Sequence, residues 1–227
     1  MRVGLISDIH ANRPALKAVL ESMPNDLDGL VCAGDIVGYS AWPAACVDRI
    51  RETCDVVVQG NHDRDVRTPE LYDQNEMAYA GLEYARSELS REQISWLDEL
   101  PASTHAFDNQ LFVVHSHPEN VDRYVTKGMF TSVGTYMTDE TQVLTLGHTH
   151  KQAAVNMAKF QRHGWVVNPG SVGQPRDGNP TAAYAVVDLD GPLVELHRTE
   201  YPIQEVKQAH KDVGLPIESA KRLTNGE

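Results

Sequence analysis

The sequence predicts an α/β protein in which two stacked sheets share one domain. Three observations predict it. The first sixty residues alternate apolar strand-like runs with amphipathic helical ones, as a parallel sheet packed by helices requires. The half from Ala102 onward changes to short strands separated by turn residues. At 227 residues and 41% hydrophobic content, the chain is long and apolar enough for one sizeable core. No run of about 18 apolar residues occurs, which excludes a membrane-spanning helix.

Taken in order, Arg2–Ser7 reads as a buried strand, and Pro14–Glu21 as a helix with Asn12 as its cap and Pro14 in its first turn. Gly29–Ala33 is a second strand, Pro43–Glu52 a second helix and the valine-rich Asp55–Gln59 a third strand. Asn75 to Leu100 holds two helices, the second opened by Ser90 and Gln93 as a capping-box pair before Ile94, Trp96 and Leu97. Six short strands follow, at Ala102–Phe107, Leu111–His115, Gln142–Leu146, Gly164–Asn168, Ala182–Asp188 and Leu193–Arg198. Asp108-Asn109-Gln110 and Asp190-Gly191-Pro192 are hairpin-type connections. A helix at Lys127–Met137 interrupts this half. From about residue 202 the tail forms two short amphipathic helices between Ile203 and Leu223, broken near Gly214-Leu215-Pro216. With no internal repeat or flexible linker, residues 1–227 are expected to form one domain.

Composition narrows the function classes. A formal net charge of −12 argues against a broad nucleic-acid-binding face, which needs a basic footprint. Cys32, Cys46 and Cys54 are too few and too scattered for a disulfide framework or a structural zinc site. The first residues already read as a strand rather than a secretory leader, so the reducing cytoplasm is the expected compartment.

The chemistry lies in where the polar residues fall. The first three expected strands end in Asp8-Ile9-His10, Gly34-Asp35-Ile36-Val37-Gly38 and Gly60-Asn61-His62-Asp63. Two later ones end in Val114-His115-Ser116-His117 and Gly147-His148-Thr149-His150. Ligand sites in open α/β sheets form beyond the carboxyl ends of strands, so five segments aim Asp, Asn and His at one edge. Six of the ten histidines lie in these stretches. Each piece alone has an ordinary explanation, as a cap, a turn or an exposed pair; the ordered set does not. Oxygen and imidazole donors without a thiolate suit Mn, Fe, Zn, Ni or Co better than Ca.

These motifs, in this order, resemble the calcineurin-like metallophosphoesterase superfamily: Asp-x-His, Gly-Asp-x-x-Gly, Gly-Asn-His-Asp/Glu, a strand-end His and Gly-His-x-His. The continuation Gly38-Tyr39 and the stretch from Asn168-Pro169-Gly170-Ser171 to Asp177-Gly178 look like its small prokaryotic phosphodiesterase branch. The resemblance spans residues 3 to about 188. It implies a four-layer α/β/β/α sandwich of two mixed sheets flanked by helices, with a dinuclear metal site at one sheet edge. One divalent ion, Mn foremost, would be held by Asp8, His10, Asp35 and His150, and a second by Asp35, Asn61, His115 and His148, with Asp35 bridging. A bridging hydroxide would attack phosphorus in line. Two dications against two carboxylates and one hydroxide leave a net positive charge, so the site attracts a phosphate although the whole chain is acidic.

By the same resemblance His62 matches the non-ligand histidine that stabilises the transition state and protonates the leaving oxygen. Asp63 is open to two readings, an orienting partner for His62 or a turn-stabilising carboxylate. Asn12, Arg13 and Arg176 are candidates to bind substrate oxygens, Arg176 ahead of Arg13, which also fits a solvent-facing helix position. Two departures stand out. His115-Ser116-His117-Pro118 replaces the usual His-Gly-Ser-Pro or His-Gly-His, leaving His117 without an assigned role. Tyr39-Ser40 and Asp63 replace the residues expected of a Ser/Thr protein phosphatase.

The expected activity is therefore hydrolysis of a small phosphoester, with a diester favoured over a monoester. The alternative is a catalytically silent scaffold of the same fold acting through protein partners, which the intact ligand set and His62 disfavour. A mononuclear hydrolase of another bond fits Asp35 as a bridge poorly. His105, His163, His197, His210 and the three tryptophans read as surface or packing residues. The stripe Met77, Tyr79, Ala80, Leu82, Tyr84 reads as core or as a contact between copies of the chain. Tyr124 and Met129 are candidates to wall the pocket.

Overall fold

The computed structural model describes residues 1–191 and 193–227. The expected turn at Asp190-Gly191-Pro192 therefore lies partly outside the described residues. The first three strands, β1 (Arg2–Ile6), β2 (Gly29–Cys32) and β3 (Val56–Val57), are parallel, joined through α1 (Arg13–Ser22) and α2 (Pro43–Thr53). Asn12 caps α1 by accepting from the Ala15 N–H at 3.2 Å. Next come the four-residue α3 (Asn61–Arg64), α4 (Glu76–Glu88) and α5 (Arg91–Glu99), the last with the expected Ser90/Gln93 capping box. The second half holds β4 (Ser103–Ala106), β5 (Leu111–Val114), α6 (Phe130–Val133), β6 (Val143–Thr145), β7 (Ala153–Asn156), β8 (Trp165–Asn168), β9 (Ala182–Asp188) and β10 (Leu193–Thr199). The tail is α7 (Ile203–Val213) and α8 (Ile217–Arg222), separated by Gly214 at φ 77°.

These strands form two five-stranded sheets, ordered β10-β9-β1-β2-β3 and β4-β5-β6-β8-β7. Each has parallel strands together and antiparallel partners at an edge: β9 and β10 in the first sheet, β4 and β7 in the second. Alternation along the strands separates three apolar layers. Val3, Leu5, Val31 and Ala33 meet Leu111, Val113, Val143 and Val167 between the sheets. Ile6, Leu30 and Cys32 point the other way, toward Leu16, Val19, Val47, Ile50, Leu82 and Leu97 on the helices. Phe112, Val114 and Leu144 face Phe130, Val133 and Met157 on the far side of the second sheet. The four-layer arrangement is thus present, with a thin outer layer on the second sheet.

Three expectations change. The helix over Lys127–Met137 is broken into a 3-10 turn at Lys127–Met129, the single turn α6 and a second 3-10 turn at Gly134–Tyr136. Glycines at 128 and 134 and β-branched residues between them weaken a continuous helix, and Met157 packs where a side chain at 134 would stand. The strand β7 was not expected, because Ala153–Asn156 has helix-like composition; its pairing with β8 overrides that preference. On α4 the core-facing residues are Ala78, Gly81, Leu82 and Ala85, so Met77, Tyr79, Ala80 and Tyr84 lie beside the buried stripe rather than in it.

The inter-sheet layer holds the two halves in register. Leu5→Ala, at a fully packed position between the sheets, is expected to lower unfolding stability by about 2–5 kcal/mol. Urea denaturation checks it, with an unchanged slope marking loss of packing rather than a changed unfolded state.

Candidate metal centre

The parallel strands of both sheets end at the same edge, and every segment singled out from the sequence emerges there. Asp8 and His10 follow β1, Asp35 follows β2 and Asn61 opens α3 after β3; His115 follows β5, and His148 and His150 follow β6. Main-chain bonds lace these loops together beyond the strands. Asp8 N–H donates to Gly34 O at 2.9 Å, His10 N–H to Asp35 O at 3.0 Å, and Gly147 N–H to His115 O at 2.8 Å. The chain turns sharply at this edge. Asp8, His10, Asp35, His148 and His150 all adopt left-handed backbone, with φ between 47° and 65°. Non-glycine residues held there cost about 1–3 kcal/mol each and persist where the surroundings over-determine them.

The side chains converge in two overlapping groups. Asp8, His10, Asp35 and His150 form one, Asp35, His115 and His148 the other; all are buried, and Asp35 belongs to both. Asn61 joins the second group through its amide. Its Nδ2 donates to the Tyr72 hydroxyl at 2.7 Å, which leaves Oδ1 buried and without a hydrogen-bond partner.

The imidazole tautomers follow from the outer partners. His10 Nδ1 lies 3.0 Å from Val37 O, His150 Nδ1 2.6 Å from Gln174 O and His115 Nδ1 2.7 Å from Ala33 O. A carbonyl only accepts, so each Nδ1 carries the proton and each Nε2 presents a lone pair in the neutral ring. Burial pushes His10 and His150 well below the usual imidazole range, so both are neutral. Yet their Nε2 atoms face each other at 3.1 Å. Two lone pairs at that distance repel unless a cation lies between or beside them. The carboxylates add to the electron-rich cluster: Asp35 Oδ2 is 3.3 Å from His115 Nε2 and 3.7 Å from His10 Nε2, and Asp8 Oδ1 is 3.4 Å from His150 Nε2.

The protein atoms by themselves draw protons into this cluster. Burial lifts the Asp8 carboxyl to about 7, and Asp35 beside it adds to the rise. Burial would lower His115, but the Asp35 carboxylate outweighs it and holds the imidazole up at about 9. Burial also works against the charged Asp35, while His115, His62 and His10 keep it well below the usual carboxylate range. A divalent cation answers the same demand for positive charge, and the donor set of imidazole, carboxylate and amide oxygen fits one.

His62 stands beside this cluster without joining it. Its ring is 4.8 Å from that of His10, 4.9 Å from Tyr39 and 5.1 Å from Tyr72, and its Nδ1 is buried with no partner. Gly38, at φ 91°, passes so close that a Cβ there would lie 2.4 Å from His62 Nδ1, so no other residue fits without moving the ring.

Asp63, Asn12 and Arg13 do not take the catalytic or substrate-binding roles the sequence offers them, and His117, unassigned there, is not among the clustered side chains. Asp63 does not orient His62: its Oδ1 accepts from the Ile36 and Val37 N–H groups and its Oδ2 from Gly60 N–H, so it braces the turns that carry Asp35 and Asn61. Asn12 is fully buried and holds the loop rather than a substrate: Oδ1 caps α1 and Nδ2 donates to Gly173 O at 2.8 Å. Arg13 lies on the exposed face of α1, over the Trp42 ring and 3.7 Å from Glu205. His117 turns away from the cluster, accepting from Glu119 N–H at 3.2 Å with the Tyr136 ring edge-on. Arg176 stays at the site. It is half-buried over Tyr39, bonded to the neutral amide of Gln174. Tyr124 also stays, its ring 4.1 Å from that of His148, whereas Met129 packs into the outer layer of the second sheet.

Sequence reasoning missed Tyr72, which fixes the Asn61 amide and donates to Asp65 at 3.1 Å. It lies 11 residues beyond Asn61 in a 3-10 turn, with no local pattern that marks it. Tyr72→Phe removes the acceptor of the Asn61 amide and leaves the ring in place. It is expected to weaken binding of divalent metal by about tenfold while leaving the thermal transition of the chelated protein within a few degrees. Metal titration followed by calorimetry reads both.

Comparison with known proteins agrees with this geometry. The sequence model of the calcineurin-like phosphoesterase superfamily domain matches residues 1–191. The crystal structure of a metallophosphoesterase from Sphaerobacter thermophilus superposes with a TM-score of 0.87 and 31% identity, covering 100% of this chain and 99% of that one. The protein MJ0912 of Methanocaldococcus jannaschii is 29% identical over 239 residues, spanning 99% of this chain and 98% of its own. Phosphodiesterase YfcE of Escherichia coli is 27% identical over 207 residues, 84% of this chain and 89% of its own. With two mixed sheets flanked by helices, and Asp and His residues gathered at their shared edge, the chain belongs to the calcineurin-like phosphoesterase superfamily.

Proposed function

We propose that the protein is a metal-dependent phosphodiesterase with two divalent ions, Mn foremost, sharing Asp35. Asp8, His10 and His150 would complete one site and Asn61, His115 and His148 the other. The observation that carries this reading is the pair of neutral imidazoles, His10 and His150, whose Nε2 atoms face each other at 3.1 Å between two buried carboxylates. Bound ions would supply Lewis acidity and the activation of water at neutral pH.

The chain's own residues account for the rest of the chemistry. His62 is held by packing between Tyr39, Tyr72 and Gly38, next to the ligands, where it can bond a phosphoryl oxygen and return a proton to the departing alcohol. Among the described residues Arg176 has no carboxylate partner, so its guanidinium is available to a non-bridging oxygen. Water adds to phosphorus, the P–O bond to one ester arm breaks, and the products are a monoester and an alcohol. The likeness to a phosphodiesterase supports the diester over the monoester. The cytoplasm is the proposed setting, which suits three free cysteines.

Chelator-stripped protein is expected to lose hydrolysis of bis(p-nitrophenyl) phosphate and to regain it as Mn²⁺ is titrated back to two ions per chain. His62→Ala is expected to lower kcat by about 10²–10⁴-fold with two ions still bound. Rebinding of two ions without cleavage of any phosphate ester would sink the enzymatic reading and leave the scaffold. A variant His62→Ala with unchanged kcat would remove that residue from the mechanism.

A further inference from the structure

A cleft of about 330 Å³ opens directly off the metal centre, with Asn61 and His148 among the residues that line it. Its other walls are Leu71 and Tyr72 from the 3-10 turn at Pro69–Tyr72, Arg64 and Asp65 from the end of α3, and Asp122 and Tyr124 from the loop after β5. Two features separate it from an ordinary phosphate pocket.

The first is apolar exposure at a polar site. Leu71 is 68% exposed and Tyr124 55% exposed, and both flank this one cleft. Tyr124 lies tilted by 30° over His148, with ring centroids 4.1 Å apart, so one side of the phenol ring packs on a residue of the metal cluster. Among the described residues no other aromatic ring packs on Tyr124. The second is charge. Among the described residues Arg64 is the one cation lining the cleft, and it is engaged: Nε and Nη2 bond Asp65 at 2.7 and 2.6 Å, and Nη2 reaches Asp122 at 2.9 Å. Two carboxylates against one guanidinium leave this wall negative. A second phosphate, or any anionic group, is repelled there, and an uncharged ring is not.

We propose that this cleft is a subsite for a flat, uncharged aromatic ring on one ester arm of the substrate, stacked against Tyr124 and packed by Leu71. The class it selects is a phosphodiester bearing an aryl or nucleobase group beside the scissile phosphorus, rather than one bearing only alkyl or further phosphoryl groups. The Arg64–Asp65–Asp122 bridge ties the loop that carries Tyr124 to α3, which fixes the spacing between the ring and Asn61. The proposal rests on the phosphodiesterase reading above, since it needs a phosphoryl group seated beside Asn61 and His148.

The test uses equilibrium binding, so it does not depend on turnover. Calorimetry on the Mn²⁺-loaded protein compares phenylphosphonate with methylphosphonate, which share the anionic head and differ in the ring. Phenylphosphonate is expected to bind about tenfold more tightly. Tyr124→Ala should reduce that ratio to about one to threefold while methylphosphonate stays within twofold of its original affinity. Leu71→Ser, on the other loop and not part of the metal cluster, should also reduce the ratio. It keeps the test decisive should Tyr124→Ala disturb the metal. Equal affinity for the two phosphonates in the unaltered protein, or a ratio that survives both substitutions, overturns the subsite. Hydrolysis of bis(p-nitrophenyl) phosphate, measured in parallel, separates the two readings. A preserved ring preference without hydrolysis fails the phosphodiesterase and keeps the subsite; hydrolysis without ring preference does the reverse.

Discussion

The buried Asp35 carboxylate is the constraint around which the rest is arranged. Its Oδ1 accepts the His62 N–H at 2.8 Å, and its Oδ2 faces His115 and His10. A carboxylate removed from water costs several kcal/mol unless positive charge and hydrogen bonds replace the solvent. The His62 N–H follows a strand of the first sheet and His115 a strand of the second, so the anion is compensated only where both sheets end together. Gly60 passes so close that a Cβ there would stand 2.2 Å from Asp35 Oδ1. The glycine before Asn61 is thus required by the carboxylate it packs on, and the order Gly-Asn-His follows from that contact as much as from any role of the asparagine.

The left-handed turns are the local cost of this arrangement. In a strand that ran on extended, Asp8 and His10 would share a face but stand about 7 Å apart along it, which carries His10 past the cluster. Turning the chain at Asp8, His10, Asp35, His148 and His150 brings the side chains inward while leaving the inter-sheet core intact. The strain is opposed by the lacing of the loops and by polar braces without metal-binding character. Asp63 holds the turns around Asp35 and Gly60, Asn12 ties the loop after β1 to Gly173, and Ser171 Oγ donates to Asp8 O at 2.7 Å. Two residues that the sequence offers as catalytic or substrate-binding, Asp63 and Asn12, are spent on this support.

That difference marks what a sequence can show. The ligand types at strand ends were legible because each lies within a few residues of its strand, and periodicity alone places the strand ends. The helices α1, α2, α4 and α5 were legible for the same reason, from caps and apolar spacing. Which polar atom bonds which was not. Asp63 sits beside His62 in the chain, yet its oxygens turn to backbone groups of residues 36, 37 and 60. Arg13 adjoins Asn12, yet the helix carries it to the outer face. Tyr72 and the cleft beyond it depend on a turn with no repeat or cap signature. The strand β7 exists because β8 offers it an edge, which no property of Ala153–Asn156 announces.

The charge around the site is uneven in a way the net charge conceals. Arg176, bonded among the described residues only to a neutral amide, has Arg222 of α8 as a cationic neighbour. Burial lowers Arg222, and the like charge of Arg176 lowers it further, so two guanidinium groups lie near each other. The C-terminal turn that follows Arg222 docks on the Arg176 loop through Gly178 N–H donating to Gly226 O at 2.9 Å. In the cleft beside Asn61 and His148, Asp65 and Asp122 outweigh Arg64. A phosphodiester carries one negative charge, shared by its two non-bridging oxygens, and its ester arms are neutral at the phosphorus. On the proposed reading, that field would draw those oxygens toward the arginines and away from the acidic wall. Arg222 lies beyond residue 191, where the match to the superfamily domain ends. The helical tail thus contributes to the electrostatics of the edge that the two sheets build.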